Sequence, residues 1–353
     1  MKPTHILYGM LLAACYLSCN TTGTDKVDNQ KQIDEQLSKI NSLLRDSSFA
    51  VSIAKAQDSA YYASQGKTVP EFSAGTEEKT KKSHKDGKIA TNLAGFYALE
   101  CGIGVLVDQK GETPVYWLNK IVNKQLDSSG ILLLNRFANA TWKAGQPFRS
   151  LSRIKRDNFI SANLLSEAET KKDHDQVLAA AVKLLGSLKD VSDSSKEIQF
   201  KKIGMLMRDK AYAFEMAKHM EASYYRSLNQ TVPEFISAAQ DSATEEKSVF
   251  EEKVATNIAG FYALECGLNY LVTTKHKLPS NILQSIVDGT ITQQDKELLE
   301  RFANATWKAG QPFRNVDRIT RDVFIPFYFL SKEEIEKDWV QIKNVAGILI
   351  KQL

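Results

Sequence analysis

The residues that usually build metal sites and catalytic nucleophiles are scarce in this chain, which has five histidines and four cysteines among 353 residues. It lacks a Cys-x-x-Cys pair, a Glu-x-x-His pair, a glycine-rich phosphate loop and a Gly-x-Ser-x-Gly motif. Each of these spacings holds ligands or reacting groups where zinc, di-iron, nucleotide or serine-hydrolase chemistry needs them. The sequence therefore predicts no metal and no cofactor.

A strong charge of one sign is also absent, since 46 lysines and arginines accompany 42 acidic residues, for a formal net charge of +4. The basic residues are spread along the chain, which argues against a nucleic-acid partner. Beyond residue 25 no segment approaches the run of about 18 apolar residues that a spanning helix needs. This part of the chain is expected to be soluble, and it shows no alternating strand patterns.

The N-terminus differs from the rest of the chain. Lys2 is followed by an apolar run over residues 6–14 that ends in small residues directly before Cys15. The pattern resembles a bacterial lipoprotein signal, in which the cysteine is lipidated and becomes the mature N-terminus. Cys19 is a second candidate for lipidation. A cleaved secretory signal with incidental cysteines is the alternative.

The resemblance implies a signal peptide over residues 1–19 and a polar, flexible tether over residues 20–30. Acyl chains on the cysteine would then hold the protein on a membrane, at about 0.8 kcal/mol for each buried methylene. The expected location is the bacterial cell envelope, with the protein facing the periplasm or the cell surface. A membrane is thus its first expected partner.

A tandem duplication is the strongest feature of the chain. The fourteen residues 136–149 recur without change at 301–314, and residues 88–102 recur at 253–267 with two aliphatic exchanges. Both pairs are offset by 165 positions, so one unit occurs twice. The predicted helical repeats are residues 31–188 (copy one) and residues 193–353 (copy two).

Helical periodicity recurs in both copies. The segment around Phe96 is apolar on most sides, which predicts a buried helix, and Gly95 and Gly102 lie on a stripe of small residues that lets another helix approach. Gly145 followed by Pro147 predicts the end of a later helix. About six such segments per copy predict an all-α protein of two tandem, duplicated helical bundles.

Cys101 and Cys266 occupy equivalent positions in the two central helices. A disulfide between them is one interpretation in an extracytoplasmic compartment. Two buried free thiols are favoured, because free cysteine packs as a small apolar residue. No histidine of one copy has a histidine at the equivalent position of the other, so a site that requires imidazole would exist in one copy only.

The ionisable residues retained in both copies form the candidate site. Glu100 and Glu265 lie on an otherwise apolar helix face, and a buried carboxylate requires a partner. Two interpretations are open: a structural clamp between glutamate and arginine, or a pocket whose arginines bind a phosphate, sulfate or carboxylate. The candidate ligand-binding residues are Lys143, Gln146, Arg149, Arg153, Arg156, Lys308, Gln311, Arg314, Arg318 and Arg321.

The tail of each copy has a further pattern, which is clearest in copy two. A tryptophan near a helix end is followed by an apolar-Pro-aromatic step, a leucine before an acidic helix start, and a Lys-Asp pair. These features are carried by Trp307-Lys-Ala-Gly310, Phe324-Ile-Pro-Phe327, Leu330 to Glu334 and Lys337-Asp338-Trp339. They resemble the helical repeat named after the ryanodine receptor, although its histidine before the tryptophan is missing and copy one lacks the proline. The resemblance implies a binding or protein-interaction module.

Three functional hypotheses follow. The first is a non-catalytic binding module of the envelope, whose partner is an envelope protein or an anionic small ligand. The second is an enzyme that acts on an anionic or glycan substrate with Glu100 and Glu265 as general acids or bases. The third is a purely structural envelope protein. The first is favoured, because one carboxylate per copy supplies no second catalytic group.

Overall fold

The structure, a computed structural model, describes residues 21–69, 79–227, 229–235 and 244–353. Cys15, Cys19 and the predicted signal peptide lie outside these residues. Within them the chain forms twelve α-helices and almost no strand, with 78% of it helical. The prediction of an all-α protein is confirmed.

Six of the described helices belong to copy one. They are α1 (Thr21–Leu44), α2 (Ser47–Ser64), α3 (His84–Lys110), α4 (Pro114–Val122), α5 (Ser128–Arg149) and α6 (Glu167–Ser187). Local chemistry sets their starts. Asp46 accepts hydrogen bonds from two amides in the first turn of α2, and Pro114 occupies the first turn of α4, where its missing N–H costs nothing.

Copy two repeats these elements in the same order. They are α7 (Lys196–Arg208), α8 (Lys210–Ser227), α9 (Val249–Lys275), α10 (Pro279–Asp288), α11 (Gln293–Arg314) and α12 (Lys332–Leu349). The first helix differs most between the copies, because α1 begins far ahead of the position that matches the start of α7. The segment expected to be a flexible tether is therefore helical from Thr21 onward.

The two copies share one hydrophobic core. Helices α5 and α11 contact each other, and each of them contacts both central helices, α3 and α9. The outer helices are exchanged: α2 of copy one packs on α9 and α12, and α8 of copy two packs on α3 and α6. The expected division into two separate bundles is therefore not confirmed.

The fourteen-residue block meets its own copy inside this core. The rings of Phe137 and Phe302 stack with their centroids 3.9 Å apart. Phe313 packs against Gly145, where an added Cβ atom would lie 2.7 Å from the phenylalanine ring. Phe148 packs against Gly310 in the same way. A self-complementary contact constrains both partners at once. The contact therefore explains why the phenylalanines and the glycine of the block are the same in both copies.

Helix α5 continues beyond the end that Gly145 and Pro147 predict. It runs to Arg149 with the proline inside its last turn, and Ser150 is extended. The glycine is retained for the close approach of Phe313 rather than for ending the helix. The predicted end of the helix is therefore wrong. The glycine was interpreted as a helix-ending residue, whereas its small size serves the packing of a ring against the helix.

One pair of strands departs from the expected absence of β structure. β1 (Lys79–Ser83) and β2 (Thr244–Ser248) pair antiparallel, with Lys81 opposite Glu246. Facing side chains of opposite charge favour such a pair. The ribbon joins the segments that lead into the two central helices, so it is another link between the copies.

Helix α3 alone among the described helices is long and apolar enough to cross a membrane, and 89% of its most apolar stretch is buried inside the protein. The helix contacts α5, α11 and α8 along its length. Its apolar character is thus accounted for by packing in the shared core.

Candidate functional site

Two lysine–glutamate pairs lie in the shared core. The Nζ atom of Lys143 in α5 lies 2.5 Å from Oε2 of Glu265 in α9, and Nζ of Lys308 in α11 lies 2.6 Å from Oε2 of Glu100 in α3. All four side chains are at most 1% exposed. Each pair joins one copy to the other, because its lysine and its glutamate come from different repeats.

The second oxygen of each glutamate accepts hydrogen bonds from a loop. Ser161 Oγ and the Ala162 amide donate to Oε1 of Glu265 at 2.6 and 3.0 Å, and the Phe327 amide donates to Oε1 of Glu100 at 3.1 Å. Burial alone would raise the pKa of Glu265, but the lysine partner and these donors hold it below its usual value. This carboxylate is therefore ionised and fully partnered.

These pairs replace the expected clamp between glutamate and arginine. Arg136, the first residue of the fourteen-residue block, donates from Nε to Asn269 Oδ1 at 2.8 Å instead of pairing with a glutamate. Lys143 and Lys308, expected among the ligand-binding residues, are instead closed to solvent. The physical reason is that the copies interlock, so the nearest cation to each glutamate comes from the other repeat.

Cys101 and Cys266, beside the glutamates, are free and buried, as favoured from the sequence. Burial raises the pKa of both thiols well above the ordinary value, and the adjacent glutamates raise it further. Each Sγ lies within 3.2 Å of an oxygen of the neighbouring glutamate. The thiols stay protonated at neutral pH and act as weak donors to these carboxylates.

A second pair of carboxyl groups is buried next to this network. Asn139 Nδ2 donates to Asp173 at 3.3 Å, and Asn304 Nδ2 donates to Asp338 at 3.2 Å. Burial raises the pKa of Asp173 to about 7 and that of Asp338 to about 8, against the opposite effect of the asparagine and a nearby lysine. Both groups therefore change charge close to neutral pH.

A cavity of about 770 Å³ opens beside the shared core. Its wall combines the start of α3, the end of α5 with the turn that follows, α6, and part of α8 from copy two. Six cationic side chains line it: Lys82, Lys88, Arg149, Arg153, Arg156 and Lys172. We call this space the arginine cavity.

Three carboxyl groups also line the arginine cavity. Glu169 pairs with Lys172, and Glu221 lies 3.1 Å from Nζ of Lys88. The third, Asp173, carries only part of its charge near neutral pH, because burial raises its pKa to about 7. The cavity wall therefore carries more basic than acidic side chains.

The structure brings four of the predicted site residues together on the cavity wall. Arg149 ends α5, Arg153 lies in the 3-10 turn Leu151–Lys155, and Arg156 follows that turn, so the row does not lie on one α-helix. Arg153 donates to Gln146 Oε1 at 3.0 Å. The guanidinium of Arg156 is exposed and makes no ion pair with any described residue.

Two of the equivalent arginines of copy two contact protein groups. Arg314 Nε lies 3.1 Å from Glu252 Oε1, and Arg318 donates to Gln311 Oε1 at 2.9 Å. Burial and the charges of Arg314 and Arg321 lower the pKa of Arg318 to about 10. Copy two therefore holds three neighbouring cations that one carboxylate partly neutralises.

The cavity residues that were not identified from the sequence include three lysines and a glycine. Lys82, Lys88 and Lys172 each have a lysine at the equivalent position of copy two, and this retention is the signal that identifies them in hindsight. Gly87 has no such signal, because copy two carries Glu252 in its place.

Within the described residues no group of three or more His, Cys, Asp or Glu side chains could hold a metal ion. Comparisons with protein families, with curated proteins and with solved structures found no match. The resemblances to a lipoprotein signal and to the ryanodine-receptor repeat therefore stay predictions from the sequence.

Proposed function

We propose that the protein is a lipid-anchored protein of the bacterial envelope that binds a small anionic ligand in the arginine cavity and does no chemistry on it. The observation that carries the proposal is the convergence of Arg149, Arg153 and Arg156 on one concave space large enough for a small molecule. Guanidinium groups bind carboxylate and phosphate oxygens through paired hydrogen bonds.

The start of α3 adds to this preference for an anion. Ser83, its N-cap residue, makes no side-chain capping bond, and it lines the cavity together with His84 and Gly87. The first amide groups of a helix lack partners within the helix and carry a partial positive charge. An anion in the cavity is therefore favoured by this helix end as well as by the arginine row.

The enzyme hypothesis loses its main support. Glu100 and Glu265 are buried, paired with lysines and closed to solvent, so neither can reach a substrate in the cavity. Of the three carboxyl groups that line the cavity, Glu169 and Glu221 are held in ion pairs and Asp173 accepts a hydrogen bond from Asn139. A binding role fits this arrangement better than catalysis, and the concave, charged space favours it over a purely structural role.

Ligand binding can be tested by isothermal titration calorimetry of the purified full chain with inorganic phosphate, sulfate and citrate at low ionic strength. We expect the Arg149→Ala/Arg156→Ala double variant to weaken binding at least ~10-fold, since each charge-assisted hydrogen bond contributes roughly 1.5–3 kcal/mol. Arg321→Ala is the matched control, because Arg321 is the copy-two equivalent of Arg156. Equal affinity of the double variant and the wild type would refute the proposal.

Anchoring is tested separately by labelling growing bacteria with radioactive palmitate. We expect the wild-type chain to carry label, the Cys15→Ala variant to lose it and the Cys19→Ala variant to keep it, because Cys15 follows the better run of small residues. The reverse pattern would assign the anchor to Cys19. Absence of label from the wild type would contradict the lipoprotein proposal.

A further inference from the structure

Helix α1 begins close to the proposed site of lipidation. Thr21, its first residue, follows Cys19 after one residue and Cys15 after five. Four apolar side chains on one face of α1 are at most 5% exposed and belong to the shared core: Ile33, Leu37, Ile40 and Leu44. A helix packed along one apolar face is fixed to the body of the protein. A lipid on either cysteine is thus followed within a few residues by a fixed element.

The two ends of α1 contact different parts of the body. Near its start, Asn29 Nδ2 donates to the carbonyl oxygen of His276, the residue after α9, at 3.2 Å. Just beyond its end, Arg45 donates to the Lys155 carbonyl oxygen at 2.7 Å, in the 3-10 turn that also carries Arg153. An α-helix rises ~1.5 Å per residue, so Asn29 and Arg45 lie about 24 Å apart along α1. The turn with the arginines is therefore at the end of α1 that lies away from the lipid.

Helix α9 has the same polarity. Its first turn carries Glu252, whose Oε2 lies 2.5 Å from Nζ of Lys82, a residue that lines the arginine cavity. Its last residue is followed by His276, the partner of Asn29. The helix has 27 residues, which corresponds to about 40 Å. The cavity and the contact of Asn29 therefore lie at opposite ends of α9.

The end of the molecule around His276 presents side chains that suit a bilayer surface. Lys277 is exposed, and Val27, which precedes Asn29 by two residues, is 69% exposed. A lysine near anionic lipids contributes about 1 kcal/mol of attraction, and an apolar side chain gains by leaving water. This end is also the one that lies nearest in sequence to the proposed lipid.

We propose that α1 is a rigid spacer that holds the end around His276 against the bilayer and the arginine cavity away from it. The cavity then takes a water-soluble anion from the aqueous compartment, and the headgroups of the anchoring membrane are out of its reach. This orientation rests on the proposed lipid anchor and specifies the source of the ligand. At 0.1 M salt the Debye length is about 10 Å, shorter than the distance along α1, so the surface charge of the bilayer should not affect the site.

Energy transfer to an acceptor lipid measures the orientation. The lipidated full-length Lys277→Cys and Asp157→Cys variants, labelled with the same maleimide dye, are reconstituted into vesicles that contain the acceptor. Both side chains are exposed, whereas Cys101 and Cys266 are buried and do not compete for the dye. We expect at least ~2-fold more transfer from Lys277→Cys, because α1 separates the two labels by roughly 24 Å. Equal transfer, or more transfer from Asp157→Cys, would overturn the proposal.

A break in α1 tests its role as a spacer. Asp28→Pro, at an exposed position, removes a backbone N–H and interrupts the helix ahead of the buried residues that begin at Ile33. We expect the ratio of transfer between the two labels to fall towards one in this variant. Asp28→Ala, at the same position, is the matched control and should keep the wild-type ratio. An unchanged ratio in Asp28→Pro would refute the spacer.

Citrate binding to the anchored protein tests the source of the ligand. We expect the dissociation constant at about 0.1 M salt to agree within ~2-fold between vesicles of phosphatidylcholine and vesicles that also contain phosphatidylglycerol. Binding that weakens several-fold on the anionic vesicles, through repulsion of citrate or competition by headgroups, would place the cavity at the bilayer and overturn the proposal.

The outcomes separate this orientation from the proposed function. A wild type that carries no lipid contradicts the anchor, and the orientation fails with it. A lipidated wild type that binds no citrate, phosphate or sulfate contradicts the ligand, while energy transfer still decides the orientation. A lipidated chain that binds citrate but transfers more energy from Asp157→Cys than from Lys277→Cys refutes the orientation alone.

Discussion

Replacing Lys143 with methionine is expected to lower the free energy of unfolding by about 3–5 kcal/mol, the usual effect of removing one partner from a buried ion pair. The substitution leaves Glu265 buried and ionised with hydrogen bonds from Ser161 and Ala162 but without its counter-charge. Urea denaturation followed by circular dichroism at 222 nm measures the change as a shift of the unfolding midpoint.

Two further variants identify the cause of this loss. Lys171→Met removes an exposed lysine that pairs with Asp175, and its effect should stay within about 0.5 kcal/mol. In the Lys143→Met/Glu265→Gln double variant, the amide oxygen still accepts from Ser161 and Ala162 while the charge is gone, so more than half of the lost stability should return. A double variant as unstable as Lys143→Met would show that lost packing, not the unpaired charge, is responsible.

The helices and the duplication were accessible from sequence because both depend on patterns along one chain. The apolar surroundings of Glu100 and Glu265 indicated burial, and the structure shows both carboxylates closed to solvent. The thiols of Cys101 and Cys266 were assigned correctly as buried for the same reason. Periodicity reports which side of a helix is apolar, and this was sufficient for these four residues.

The partner of each buried group was not accessible in this way. Glu100 pairs with Lys308, which is 208 positions away, and Phe313 packs on Gly145 from the other copy. Helical periodicity does not specify which apolar face meets which, so a shared core and two separate bundles predict the same sequence pattern. The exchange of outer helices between the copies followed from the structure alone.

The candidate site was predicted in part. The retention of Arg149, Arg153 and Arg156 pointed to residues that line the cavity, whereas Lys143 was grouped with them only because it lies in the same block. Gly87 was missed, since a comparison that searches for retained residues ignores the position at which the copies differ. At that position copy two carries Glu252, which pairs with Arg314.

Replacing both Asp173 and Asp338 with asparagine is expected to stabilise the protein at pH 8.5 by about 3 kcal/mol or more and to change little at pH 4. In the folded protein, burial keeps these carboxyl groups protonated up to about pH 7 and about pH 8, whereas in the unfolded chain they lose their protons near the ordinary value of 3.8. Each unit of difference corresponds to about 1.4 kcal/mol for each group.

The sign of this pH dependence follows from the number of protons bound to the folded and to the unfolded state. Between about pH 4 and pH 8 the folded state holds more protons than the unfolded state, so the wild type loses stability as the pH rises through this range. Asparagine is neutral throughout, and its amide can still accept the hydrogen bonds from Asn139 and Asn304. The free energies of unfolding of variant and wild type should therefore coincide at low pH and diverge above pH 5.

Urea denaturation at pH 4, 5.5, 7 and 8.5 measures this divergence. Glu300, whose charge raises the pKa of Asp338, contributes to the same divergence, because its own pKa of about 7 falls when residue 338 becomes neutral. Asp157→Asn, at a fully exposed side chain, is the control and should give a curve parallel to that of the wild type. A parallel curve for the double variant would mean that water reaches both carboxyl groups and that they ionise as ordinary aspartates. In that case water would also reach the polar network beside the lysine–glutamate pairs. The loss of stability predicted for Lys143→Met would then be smaller, because a solvated glutamate needs its counter-charge less than a buried one does.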